Sequence, residues 1–511
     1  MIEGKIAHLK GLMADNRVEI NDLELIYANL EDDIADARLL TGPWYPNRIP
    51  PEILCEIFHC YILFFQHSAW TISQVCRAWR RIALGCSSLW SRLHVTARIP
   101  QLSNAYRSPD SFGQGYLTTE LQAQRAVRRA KEGPLRVILR LNEGTRDPSV
   151  MLRLLKIIAG ENFSRWRSLD WCDPVLGDHW TPVLQQALSP VREMASLQRL
   201  SLHYSVCHLL VPALTAGVPC LSSLELTLSH GGPPTALMTQ PWLRHLKKLT
   251  LRNCHQLSPL WPFIAECKAL EELGLGRYFY PSGESFKSSG EHPLPYRLRT
   301  VRLETHANSW SCVSGLNITS LTLQMNHSPL TTVHVAPRSI SLPSLTELSC
   351  LSYETAFAAG YLLDAPKTQL MRICNLASGQ SPGINGSVPD IFWDNLWGIR
   401  PVHVSIMTFD RNRVALQSLL LRFFKVTTLS LCFFFQSVDT LLALVPDSER
   451  GDDIALCPNL TRVECKFVEA LPSSEASKID RLILTIQDER ENLGLLRPKI
   501  DICWGKRAVS A

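Results

Sequence analysis

A six-residue phrase recurs along this chain and constrains its fold more than any other feature. Apolar residues hold its first, fourth and sixth places: Trp166, Leu169 and Trp171, then Leu197, Leu200 and Leu202, then Leu221, Leu224 and Leu226. Further copies run through Leu246, Leu249 and Leu251, through Leu270, Leu273 and Leu275, through Leu298, Val301 and Leu303, and through Ile318, Leu321 and Leu323. Looser ones start at Leu345, Val426 and Leu460. Successive starts as far as Leu345 are 31, 24, 25, 24, 28, 20 and 27 residues apart. The alternation at the end of each phrase is that of a strand with one apolar face. A strand so short cannot bury that face alone, but the next copy can cover it, so the spacing demands a stack of strands sharing one core.

The phrase and its period resemble a leucine-rich repeat region. The resemblance implies an α/β solenoid with a parallel strand stack, occupying about 166–497 with a tail at 498–511. The 15–20 residues between phrases are expected to cross back as helix or loop. Alternation then leaves outward, on the concave sheet, Arg199, Ser201 and His203; Ser223, Glu225 and Thr227; Lys248, Thr250 and Arg252; Glu272, Gly274 and Gly276; Thr300, Arg302 and Glu304; Ser320, Thr322 and Gln324. This face is polar, mixed in charge and flat at the two glycines. As a surface for an unknown protein substrate it offers Arg199, His203, Glu225, Lys248, Arg252, Glu272 and Arg302. The same side chains also suit a merely solvated sheet exterior.

Residues 1–40 follow another period. Ile6, Leu9, Met13, Ile20, Leu23, Tyr27, Leu30, Ile34 and Ala37 form a heptad seam broken at Asn16, among nine acidic and four basic residues. The segment is expected to be an amphipathic helix, either pairing as a coiled coil in self-association or folding back on its own protein.

Pro43, Pro46, Pro50 and Pro51 end that helix and open a small unit over 41–95. Ile53, Leu54, Ile57, Phe58 and Tyr61 follow Pro51 at helical spacing. Thr71-Ile72-Ser73-Gln74 reads as the capping box of a second helix, with Ile72, Val75, Cys76, Trp79, Ile82 and Ala83 on its apolar face. A third short element starts at Ser87-Ser88-Leu89-Trp90. Fewer than fifty residues cannot easily shelter so many large apolar side chains, so the unit is expected to lean on another surface.

Ile49-Pro50-Pro51-Glu52-Ile53-Leu54, Ile57-Phe58, the run from Val75 to Ala83, and Leu89-Trp90 together resemble an F-box, of the F-box-like type abundant in fungi. Ile49 stands where that family usually has Leu, and Trp70 where it usually has aliphatic residues. The resemblance implies docking on the Skp-type adaptor of a cullin-based (SCF) ubiquitin ligase, through Pro50, Leu54, Ile57, Phe58, Val75 and Trp79. The repeat array would then hold the substrate. The alternative is a coiled-coil and leucine-rich repeat interaction scaffold without a ubiquitin role.

Between the two regions, 96–165 reads as a connecting helix and strand at the start of the array. The helix spans Thr118–Glu132 with Leu121, Ala126 and Ala130 on one side; the strand is Leu135–Leu141. Arg125, Arg128, Arg129 and Lys131 cover the rest of that helix, but no aromatic residues interleave to stack bases, so a nucleic-acid partner is not expected.

Composition narrows the setting. The 511 residues carry 52 basic and 47 acidic side chains, a weak net charge of +5. The 16 cysteines contain no CxxC, which argues for reduced thiols in a cytoplasmic and/or nuclear protein. The start of the sequence lacks a secretory signal core, and no apolar run approaches a membrane span. No HExxH, GxSxG, GxxxxGK[ST] or strand-linked GxGxxG occurs, and His203, Cys207 and His208 do not complete a metal shell. The expectation is a protein without catalytic residues, cofactor or metal.

Overall fold

The computed structural model describes residues 49–65, 69–96, 116–117, 119–140, 148–171, 186, 194–203, 206–207, 210, 214–215, 217–228, 235–238, 240–253, 260–276, 295–305, 307–325, 338–375, 398–408, 419–433, 444, 457–467 and 473–504. The heptad segment at 1–40 lies outside the described residues. The chain divides into two compact units, one holding 1–197 with 212–218 and the other 198–211 with 219–511.

The first unit opens with three helices, α1 (Pro51–Phe65), α2 (Ala69–Ser73) and α3 (Arg77–Gly85), followed by a 3-10 turn at Ser87–Trp90. Strand β1 (Arg92–Thr96) comes directly after, and β2 (Tyr116–Leu117), α4 (Glu120–Arg129), β3 (Leu135–Arg140), α5 (Pro148–Ala159), a 3-10 turn at Gly160–Arg165 and β4 (Trp166–Trp171) follow. The four strands lie parallel in the order β2-β1-β3-β4. The helical knob therefore runs without a break into the first strand of this sheet. Leu93 and Val95 of β1 are buried beside Val137 and Leu139 of β3, their register partners.

The second helix of the knob departs from the sequence expectation. Thr71 does not cap a continuous helix. The Ser73 hydroxyl donates to the Trp70 carbonyl, Gln74 N–H bonds back to Thr71, and the chain is extended at Cys76 (φ −155°). Cys76 is the N-cap of α3, its sulfur 3.5 Å from the Trp79 amide. Arg80 ties the break together, its Nε donating to the Ser73 carbonyl at 2.9 Å. Helix α4 does have a capping box, Thr119 with Gln122, both bonds 3.3 Å. It buries Ala123, Ala126 and Ala130, while Leu121 is exposed.

In the second unit the strands are β5 (Arg199–His203), β6 (Ser223–Thr227), β7 (Lys248–Arg252), β8 (Glu272–Gly276), β9 (Thr300–Thr305), β10 (Ser320–Met325), β11 (Ile340–Ser341), β12 (Glu347–Cys350), β13 (Leu363–Asp364), β14 (Leu370–Asn375), β15 (His403–Thr408), β16 (Thr428–Phe433), β17 (Arg462–Phe467) and β18 (Lys499–Trp504). Among the described residues all but β11 and β13, which pair with each other, form one parallel sheet in sequence order. Short helices α6 (Thr235–Met238), α7 (Trp261–Glu266) and α8 (Tyr353–Leu362) and the long α9 (Ser473–Asn492) lie between strands. This is a mixed α/β architecture consistent with a repeat solenoid.

Two ladders of side chains make the core. One runs Leu200, Leu224, Leu249, Leu273, Val301, Leu321, Leu348, Met371, Val404, Leu429 and Val463; the other runs Leu202, Leu226, Leu251, Leu275, Leu303, Leu323, Cys350, Ile373, Ile406, Leu431 and Cys465. Every one is buried. At about 1.5–3 kcal/mol per large apolar side chain removed from water, these ladders are what specify the register. Strands β14 and β15 escape a search for leucine because their phrases read Thr368, Met371, Ile373 and Pro401, Val404, Ile406. Thr368 fills a buried leucine place, its hydroxyl donating to the Ala365 carbonyl at 2.9 Å. Strand β18, set apart by the sequence reading as tail, pairs in register with β17.

Candidate functional site

Helix α1 starts where a proline can start a helix: the Leu54 N–H bonds to the Pro50 carbonyl, leaving Pro51 in the first turn, where no N–H is needed. Its apolar residues then split between two faces rather than sharing one. Leu54, Phe58 and Ile62, spaced by four, are buried, with the Phe58 ring 4.9 Å from that of Trp79 on α3. Ile53 (52% exposed) and Ile57 (45%) are one turn apart on the exposed flank of that stripe, with the exposed Glu52, Glu56 and Cys60 beyond them.

Of the six residues singled out for adaptor contact, Pro50, Ile57 and Val75 are exposed and Trp79 is half-buried. Leu54 and Phe58 (1% exposed) are core residues of this unit, so an outward contact there falls to their neighbours. Val75 (59% exposed) stands clear because it sits in the break between α2 and α3 rather than on a helix face. Sequence reasoning missed Ile53 and Leu84 as outward apolar groups. The signal for Ile53 was there: it is four residues before Ile57 and one off the Leu54–Phe58–Ile62 stripe.

The knob is anchored from behind. Trp90 donates its indole N–H to the Ala83 carbonyl at 2.7 Å and meets Trp70 edge-on, ring centroids 4.8 Å apart. The Arg129 guanidinium lies against both rings, and burial pulls its pKa down. Trp70 thus has a packing role that an aliphatic residue could not fill. Arg129, one of the basic cluster, is turned inward to these rings.

Cys55 of α1 is held protonated, its pKa pushed up to about 11, first by burial and then by the neighbouring Cys86 thiol. Such a thiol is a poor nucleophile at neutral pH.

The outward face of the second unit's sheet is largely satisfied by itself. Glu225 and Arg252 pair at 2.5 Å, Lys248 pairs with Glu272 on the next strand, and Arg302 pairs with Glu304 at 2.6 Å. Farther along, Arg462 lies 3.1 Å from both Glu464 and Asp501. Exposed pairs of this kind contribute about 0–1 kcal/mol each, but they cancel charge that a ligand would otherwise meet. Of the residues expected to face a substrate, Arg199 is exposed and Glu225, Lys248, Arg252, Glu272 and Arg302 sit in these pairs. His203 is a correction: it is buried at the end of β5, and burial lowers its pKa. Cys207 follows it one helical turn on and donates its thiol to the His203 carbonyl at 3.5 Å, its own pKa pushed up to about 12 by burial. That is a buried thiol bonded to backbone, and His208 lies outside the described residues.

Nor are the glycines a flat platform. A Cβ on Gly274 would meet Thr250 Oγ1 at 3.0 Å, and one on Gly276 would meet Glu304 Oε2 at 3.3 Å and Arg252 Cγ at 3.5 Å. Neighbouring side chains already occupy the space the glycines leave. Among the described residues no helix is long and apolar enough to cross a membrane.

A protein-family model described as F-box-like matches residues 46–96, the stretch that holds α1 to β1. No curated protein matches the chain.

Proposed function

We propose that the chain is the substrate-recognition subunit of an SCF-type ubiquitin ligase, its F-box-like segment docking on the Skp-type adaptor and its array, read as a divergent leucine-rich repeat region, holding a substrate protein. The carrying observation is the outward apolar face of α1, Ile53 and Ile57, with Val75 and Leu84 also exposed on the same small helical knob. A helix that buries one apolar stripe and still presents a second apolar pair to water is built for a partner. Pro50 belongs to this contact, while Leu54, Phe58 and Trp79 support it from inside. In this role the chain performs no chemistry. It tethers a substrate near an enzyme carried by other subunits, raising the local concentration of the reacting groups.

For the substrate, the outward rows of the sheet offer paired charges and hydroxyls, which suits a protein surface or tail. The test of the docking step is capture of a purified Skp-type subunit by the full chain. The variant I53D/I57D, changed only at exposed positions, should fold as wild type and lose at least tenfold in affinity, as removal of a central apolar anchor pair does. Equal capture by the folded variant would overturn the reading.

A further inference from the structure

Among the described residues, strand β18 is the last in the second unit's sheet and is paired on one side only, to β17. The Lys499 N–H donates to the Thr461 carbonyl. In a parallel ladder this turns the backbone groups of Lys499 and Asp501 toward β17 and those of Ile500 and Ile502 toward the open side. Ile500 and Ile502 are half-buried, whereas their register partners Val463 and Cys465 are wholly buried. Apolar surface continues beyond the strand, because Leu484 of α9 and Leu493 and Leu496 just before β18 are exposed. A stack of repeats needs its last member covered, and an open strand edge is a template for pairing.

We propose that this edge docks a second copy of the chain, strand to strand and antiparallel, about a two-fold axis at Ile500. The charges select this occupant and this register. Lys499, 74% exposed, and Asp501 flank Ile500 on the outer face, 3.0 Å apart as an ion pair within one copy, and Asp501 also lies 3.1 Å from Arg462. With the axis at Ile500, Lys499 of each copy lies opposite Asp501 of the other, so the pair within each copy is joined by two across the copies in an alternating square of four charges, and the open N–H and C=O of the two Ile500 residues satisfy each other. Centring on Asp501 would press carboxylate on carboxylate. Centring on Ile502 would leave Lys499 and Asp501 without opposite charges. Edge lysines commonly discourage pairing, but here the lysine is matched by an acid two residues on.

Light scattering on the full chain tests this. Wild type should run at twice the 57.5 kDa chain mass at micromolar concentration and dissociate as salt is raised. K499D sets acids against acids and D501K sets lysines against lysines, so each alone should run as the monomer. An equal mixture of the two should regain the doubled mass, and so should the double variant K499D/D501K. A folding defect would not be rescued by mixing. A monomeric wild type, single variants that stay dimeric, or a mixture that stays monomeric would each overturn the proposal. So would a dimer lost only on deleting 1–40, which would assign association to that segment.

Discussion

The guanidinium of Arg129 lies 4.4 Å from the ring centroid of Trp90, and 4.5 Å from that of Trp70, with its Nη1 buried and making no hydrogen bond. A helix thirty residues beyond the knob is thereby held to two of the knob's tryptophans, which meet edge to face. Replacing Arg129 by Ala should lower the stability of the first unit by about 1–2 kcal/mol, while Lys retains part of it. Denaturant unfolding followed by tryptophan emission reads the change. Equal stability of R129A and wild type would show that the rings hold without the cation.

The two faces of α1 are separable by mutation. Leu54→Ala empties a buried place and should cost about 2–5 kcal/mol. Ile57→Ala, one turn away and outward, should cost under about 1 kcal/mol and act on adaptor capture instead. Thermal midpoints and capture measured on the same two proteins decide it, and a large loss of stability from I57A would place that residue in the core.

At Gly274 the neighbour fills the gap. Gly274→Ala brings a methyl to 3.0 Å from Thr250 Oγ1 and 3.1 Å from its Cγ2, so it should destabilise by about 1 kcal/mol. In a Thr250→Ala background the same change should be close to neutral. A double-mutant cycle with no coupling would refute the contact.

His203 makes stability depend on pH in a definite direction. Burial lowers its pKa in the folded protein below the ordinary value of 6.5. The neutral form is the one that fits, so its contribution is whole above pH 6.5. It is lost as pH falls from there toward the depressed value, because the unfolded chain takes up the proton first. The melting midpoint of wild type should therefore drop more between pH 7.5 and 5.5 than that of His203→Gln, checked by parallel thermal scans. Identical slopes would remove His203 as a cause.

Much of the second unit was legible because one place in the phrase does one job. Wherever Leu recurs at the fourth and sixth positions, the side chain has only the core to enter, and β5 to β10 follow from spacing alone. The reading faded at β14 and β15 for a physical reason: Met371, Ile373, Val404 and Ile406 fill the same volume, and Thr368 holds a leucine place with its hydroxyl bonded to backbone. Packing accepts any apolar shape of the right size, so a search for one letter misses what the core still recognises. Strand β18 was missed for a related reason, since its inward residues are isoleucines on an open edge.

The amino-acid order alone determined where strands β4 to β10 must form, that they stack on one shared core, and that 41–95 makes a compact helical unit. These depend on local periodicity, which the chain carries in one dimension. Only the tertiary structure decided which apolar side chains of that unit turn outward, since Leu54 and Ile57 are three residues apart and equally greasy on paper. It also decided that the outward charges of the sheet neutralise one another and that His203 is enclosed. Such outcomes depend on which atoms from distant parts of the chain arrive alongside, and residue spacing does not encode that proximity.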